Sequence, residues 1–275
     1  MSIGIHKSAA ATVQTPSTQP DTSPSQTAKS ESSQASGTAD AYQSTNGNQK
    51  EAVSKLCLPG QSANRTLPSE SKALADIKEN VMPQILGQMK KDGVETNKAH
   101  CDGAAARALA RLRESGYEAE LIGGKGHVTV RVKTQGKDII VDPTAAQFFK
   151  DGSAIDQKLQ KKGFVGTDDQ LRGMLRDNID SMEPSAQKLA SQGAKPTVEG
   201  MRQEILESAK STGTPPPSNE ERAEFMDNYK SEMANDFATG VYQTDRGISG
   251  QLIKQSAEKN CQIVEHQRLN ANLRP

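Results

Sequence analysis

From residue 69 onward, apolar side chains recur at intervals of three and four. Ala73, Leu74, Ile77, Val81 and Ile85 follow a Ser-Glu start and predict an amphipathic helix that Pro83 either kinks or ends. Gly93 and residues 95–98 read as a loop. Residues 102–115 return to helical spacing with Ala105, Leu109 and Leu112, and Gly116 stands where a helix C-terminus calls for it. The period then changes to two. Residues 117–122 alternate, 123–126 read as a glycine-rich turn, and in 127–133 Val128, Val130 and Val132 fall on one face. His127, Thr129, Arg131 and Lys133 fall on the other. Residues 134–137 give a hairpin turn, and 138–142 a returning strand stopped by Pro143.

This order of helix and three strands over 67–150 predicts an α+β core. Beyond 150 the pattern is helical, with candidates near 168–182, 197–210, 219–237 and 250–268. The prolines of 214–218 break the second from the third. A C-terminal helical region, 151–275, is therefore expected to follow the core.

Residues 1–66 show neither period. They are rich in Ser, Thr, Gln, Ala, Pro and Gly, and such a segment buries too little apolar surface to offset its ordering entropy. It is expected to be disordered, either as a solvated tail or as an export address. Whole-chain composition agrees with a partly folded chain: of 275 residues, 33% are apolar, 3% are aromatic and none is Trp.

Charge narrows the partners. Thirty-four basic residues balance thirty-four acidic ones, which gives no electrostatic case for nucleic acid or an anionic membrane surface. No apolar run has the length of a membrane span, and the first residues lack the hydrophobic core of a secretory signal. The three cysteines, Cys57, Cys101 and Cys261, are far apart and form no CxxC pair, which argues against a disulfide framework or a structural zinc site and for a single reactive thiol.

Cys101 is the candidate. It opens a predicted helix, where exposed N–H groups and the positive dipole end favour a thiolate and are available to an oxyanion. His127 opens one strand and Asp142 closes the next. A hairpin centred near residue 135 pairs 128 with 142 and sets His127 within one residue of Asp142, so the carboxylate can hold the imidazole in orientation. The competing reading is a small buried Cys101 and an Asp142 that only ends its strand; the three together favour a triad. Cys57 and Cys261 read as incidental, His6 and His266 as solvent-facing, and His100 as a surface or loop residue. Asp102 reads as a first-turn helix carboxylate. The 123–126 glycines lack the helix that a phosphate loop needs, and read as a turn that lets substrate approach His127.

The segments Cys101-Asp102-Gly103, Gly126-His127-Val128-Thr129-Val130 and Asp142-Pro143-Thr144 resemble the papain/transglutaminase-like superfamily, in which a strand-opening Gly-His is followed about fifteen residues later by Asp-Pro-Thr. The resemblance covers about a fifth of the chain. It implies a nucleophile helix packed on a small antiparallel sheet, with Cys101, His127 and Asp142 as catalytic residues and no metal or organic cofactor. The interval from Cys101 to His127 is short for such families, no aromatic residue precedes Cys101, and the second oxyanion donor is unassigned, with Gln88 and Asn97 as candidates.

The implied chemistry is attack on a protein amide carbonyl through a thioester. The leading expectation is a protein-glutamine deamidase and the alternative a cysteine protease. The leader resembles those of type III secreted bacterial effectors, which implies delivery to host cytoplasm, a host protein as substrate and a secretion chaperone on the N-terminal region. A non-enzymatic alternative is a helical host-protein binding module with an inactive triad. An acyltransferase would need an aromatic-lined pocket, which nine aromatic residues in the whole chain do not favour.

Overall fold

The computed structural model describes residues 66–98, 100–191, 195–243 and 248–272, all within one compact unit. The readings made for residues 1–65, including His6 and Cys57, and for the side chain of His266 lie outside the described residues. The described chain is a mixed fold of helices around a small four-stranded antiparallel sheet.

Helix α1 (Glu70–Asp76) passes through one π-helical turn (Ile77–Val81) into α2 (Met82–Lys91). Pro83 neither ends the helix nor needs to break it. It has no N–H for the carbonyl four residues back, and the wider turn, closed by Met82 N–H on the Ile77 carbonyl, absorbs the mismatch. Helix α3 (Cys101–Glu114) follows. Its Ala-rich sequence favours helix, and its end is closed where Gly116 (φ 90°) and Tyr117 donate back to the Arg113 and Leu112 carbonyls.

Strands β1 (Ala119–Gly124), β2 (His127–Val132) and β3 (Ile139–Asp142) form an antiparallel meander, and β4 (Phe164–Gly166) adds to the edge of β3. Sequence periodicity missed β4 because three residues are too few to alternate. It also missed α4 (Ala154–Lys162), although Ser153 caps its start and Gly163 (φ 58°) stops it. Helices α5 (Asp168–Asn178), α6 (Pro184–Ser191), α7 (Val198–Thr212), α8 (Asn219–Tyr242) and α9 (Ile248–Asn272) complete the order. Of these only α6 had no counterpart in the periodicity.

Both faces of the sheet are covered, which is why β2 is buried almost throughout instead of on alternate residues. Val128, Val130, Val132 and Val141 pack with α1, α2, α3 and the buried Ala257 and Cys261 of α9. On the opposite face Ile122 and Ile140 pack with Phe148, Leu171, Leu175, Phe237 and Tyr242. Among the described residues no helix is long and apolar enough to cross a membrane.

Candidate functional site

Cys101 is the first residue of α3. His100 before it has non-helical dihedrals while its carbonyl already accepts from Ala104, so the helix begins at the sulfur-bearing residue. Asp102 takes the Gly103 N–H on Oδ1 at 2.7 Å. Its Oδ2 is held by Ser256 Oγ (2.7 Å) and Asn260 Nδ2 (3.1 Å) of α9. The first-turn carboxylate is thus also the tie that fixes the start of α3 to the last helix. His100 is exposed, in keeping with a loop residue.

His127 and Asp142 meet directly, Nε2 to Oδ2 at 2.9 Å, with both side chains fully buried. The register that brings them together differs by one residue from the predicted one. The strands pair Val130 with Val141, Arg131 with Ile140 and Val132 with Ile139, so Asp142 extends toward Thr129 instead of Val128. Directly opposed residues share a face, and a pairing of 128 with 142 would have turned His127 to the other side of the sheet. The observed register makes His127 and Asp142 diagonal neighbours on one face. The prediction missed by one because it placed the hairpin centre from turn composition alone.

Every acceptor position of Asp142 is used. Oδ1 receives the Thr144 N–H (2.8 Å) and the Thr144 hydroxyl (3.1 Å), while Oδ2 receives His127 and the Tyr242 hydroxyl at 2.8 Å. Tyr242 is the last residue of α8, and nothing in the periodicity of residues 151–275 singled it out. The His127 ring also meets Phe148 and Tyr242 edge-on, with centroids 4.9 and 5.3 Å away.

Burial is the strongest single influence on the His127 ring and opposes its charge. The Asp142 charge and hydrogen bond, then the hydrogen bond and charge of Cys101, outweigh it and push His127 up to about 10. Burial likewise opposes the Asp142 carboxylate, and His127, Tyr242 and Thr144 together hold it below the usual range. Tyr242 is driven well above its ordinary value, by burial first and then by the Asp142 charge, and so remains a donor. With Nε2 taken by Asp142, Nδ1 is the ring nitrogen that remains.

A fourth side chain reaches this nitrogen. Gln147, on the 3₁₀ turn Ala145–Phe148, places Nε2 3.2 Å from His127 Nδ1 and 3.2 Å from Thr144 Oγ1. Of the two candidates named from sequence for a second oxyanion donor, Gln88 is turned away and bonds Asp92 Oδ1 at 2.8 Å, and Asn97 lies in the loop before α3. Gln147 was passed over because it follows the carboxylate instead of preceding the nucleophile. The Asp142-Pro143-Thr144 turn was the signal that could have found it.

The glycines before His127 do different work from that expected. Gly123 and Gly124 end β1, and only Lys125 and Gly126 (φ 70°) form the turn. A Cβ on Gly124 would lie 2.3 Å from the Val241 carbonyl oxygen and 2.5 Å from that of Gly240. The bare backbone lets the end of α8, which carries Tyr242, press against the sheet. At Gly124 the absence of a side chain thus serves the packing of the residue that holds Asp142. Cys261 is fully buried in the core beneath α3.

Among the described residues no group of three or more His, Cys, Asp or Glu side chains is arranged to hold a metal ion. A thiol, an imidazole held charged by Asp142 and a fully bonded carboxylate form a set that can supply a nucleophile, a proton carrier and its orienting group. No protein-family model, curated protein or solved structure matches the chain.

Proposed function

We propose that this chain is a cysteine-dependent hydrolase with a papain/transglutaminase-like core, acting on protein amide bonds as a glutamine deamidase. The observation that carries the reading is the buried 2.9 Å His127–Asp142 contact, with Cys101, the first residue of a helix, among the groups that act on the same ring. Cys101 Sγ, its proton held on the His127 ring, attacks the side-chain carboxamide carbon, and the ring gives that proton to the leaving nitrogen, which departs as ammonia. His127 then draws a proton from water, whose oxygen attacks the thioester, and the sulfur leaves with glutamate as product. Asp142 stabilises the ring whenever it carries the proton, and Tyr242 and Thr144 hold Asp142. The N–H groups at the start of α3 and the Gln147 amide are the oxyanion donors.

Access favours a side-chain substrate. Cys101 is 8% exposed and His127 not at all, a narrow approach that suits the tip of a glutamine better than a peptide backbone flanked on both sides. The composition of residues 1–66 supports delivery as a secreted effector with a host protein as target. The test is to incubate wild type and Cys101→Ala with host-cell lysate and read the proteome by mass spectrometry. Glutamines gaining about one mass unit only with wild type support deamidation, because NH₂ is replaced by OH. New peptide termini only with wild type would make the enzyme a protease. Identical profiles, with a folded mutant and an intact thiol, favour a binding module.

A further inference from the structure

A cavity of about 630 Å³ lies on the far side of β4 from β3, between the π-helical turn, α4 and α5. Its floor is apolar, formed by Met82, Leu86, Leu159, Phe164 and Met174. Its rim is cationic: Lys158, Lys161 and Lys162 stand three and four residues apart on α4, and Lys78 faces them from the π-helical turn, against the single acid Glu79. All four lysines are exposed, and among the described residues none is in an ion pair. Elsewhere lysines do find acids, as Lys137 does with Asp169, Lys195 with Asp236 and Lys230 with Asp180.

We infer that this cavity docks an acidic peptide segment of a partner protein, its carboxylates on the lysine rim and one or two apolar side chains on the floor. Charge complementarity selects the partner's sign and the apolar floor selects against a purely polar acidic chain. The concave shape favours a peptide over a membrane surface, which a rim of this kind could meet only from outside. The inference stands apart from the catalytic reading and holds whether or not Cys101 reacts.

The experiment is fluorescence anisotropy on the full chain with three labelled probes of equal length: a Glu/Leu peptide, a Lys/Leu peptide and a Glu/Ser peptide. Saturable binding of the Glu/Leu peptide alone is expected, weakening as salt rises from about 50 to about 500 mM. Lys158→Glu with Lys161→Glu and Lys162→Glu should weaken it by about tenfold or more, and Lys78→Glu alone should weaken it in the same direction. Lys90→Glu with Lys91→Glu, exposed on α2, should leave it unchanged. Thermal melts establish that each variant is folded. Absence of saturable binding, equal binding of the Lys/Leu or Glu/Ser peptide, or indifference to the rim reversals would overturn the inference. So would binding of phosphatidylserine vesicles in place of the peptide.

Discussion

Tyr242 donates its hydroxyl to Asp142 Oδ2 at 2.8 Å, across one hundred residues of sequence, on the same oxygen that holds His127. The end of α8 is therefore part of the same hydrogen-bonded group as the strands, and the helical C-terminal region contributes to the site and not only to the core. Tyr242→Phe keeps the ring and removes the donor. It should cost about 1–3 kcal/mol of stability, since a buried carboxylate loses a partner. It should also change the His127 titration, which a purely structural loss elsewhere would leave alone; chemical denaturation and imidazole NMR read the two effects.

Gln147 reaches His127 Nδ1, so its part in turnover has to be separated from any support it gives the ring. If its amide serves the oxyanion, Gln147→Ala should lower kcat by about 10²–10³-fold with KM little changed. Iodoacetamide labelling of Cys101 builds no oxyanion, so its rate should stay near wild type. Equal losses in labelling and turnover would make Gln147 a support for His127 instead.

How far this arrangement could be read in advance depends on the kind of signal. The α3 helix, the 127–132 and 139–142 strands and the Cys101, His127 and Asp142 set follow from spacing, because period and chain order are local properties. The hairpin register was legible only to within one residue, and one residue decides the face. Tyr242, the Asp102 tie to Ser256 and Asn260, and the closeness of Gly124 to α8 are tertiary contacts, and no periodicity carries them. Gln147 lay within the legible region, in a 3₁₀ turn too short to show a pattern.

Gly124→Ala tests the packing role directly. The added methyl must push the Gly240 and Val241 carbonyls away, and overpacking of this kind costs about 1–3 kcal/mol. Because the displaced backbone carries Tyr242, activity should fall more than stability alone accounts for. Substituting Ala at Gly173, inside α5 and where a Cβ meets nothing within 4 Å, is the control: activity should stay unchanged and stability should rise by about 0.5–1 kcal/mol.

Stability should depend on pH in a defined direction. His127 is raised from its usual 6.5 to about 10, so its contribution is fully present below pH 6.5 and is lost as pH rises through about 10. Asp142 is lowered from its usual 3.8, so its contribution is present above that value and is lost as pH falls through its folded one. Urea denaturation from pH 6 to 10 should show a steady fall that His127→Ala flattens. An unchanged slope in that variant would place the titration elsewhere.

On the proposed mechanism Cys101 is an activated nucleophile because His127 and Asp142 stand behind it. The most direct measurement is the rate of iodoacetamide labelling at Cys101 at neutral pH, read by peptide mass spectrometry in wild type and in folded His127→Ala. Fast labelling of Cys101 is expected in wild type, with little at the buried Cys261 and a drop of about tenfold or more at Cys101 in the variant. A Cys101 rate that is slow in wild type, or the same with and without the imidazole, would contradict that mechanism.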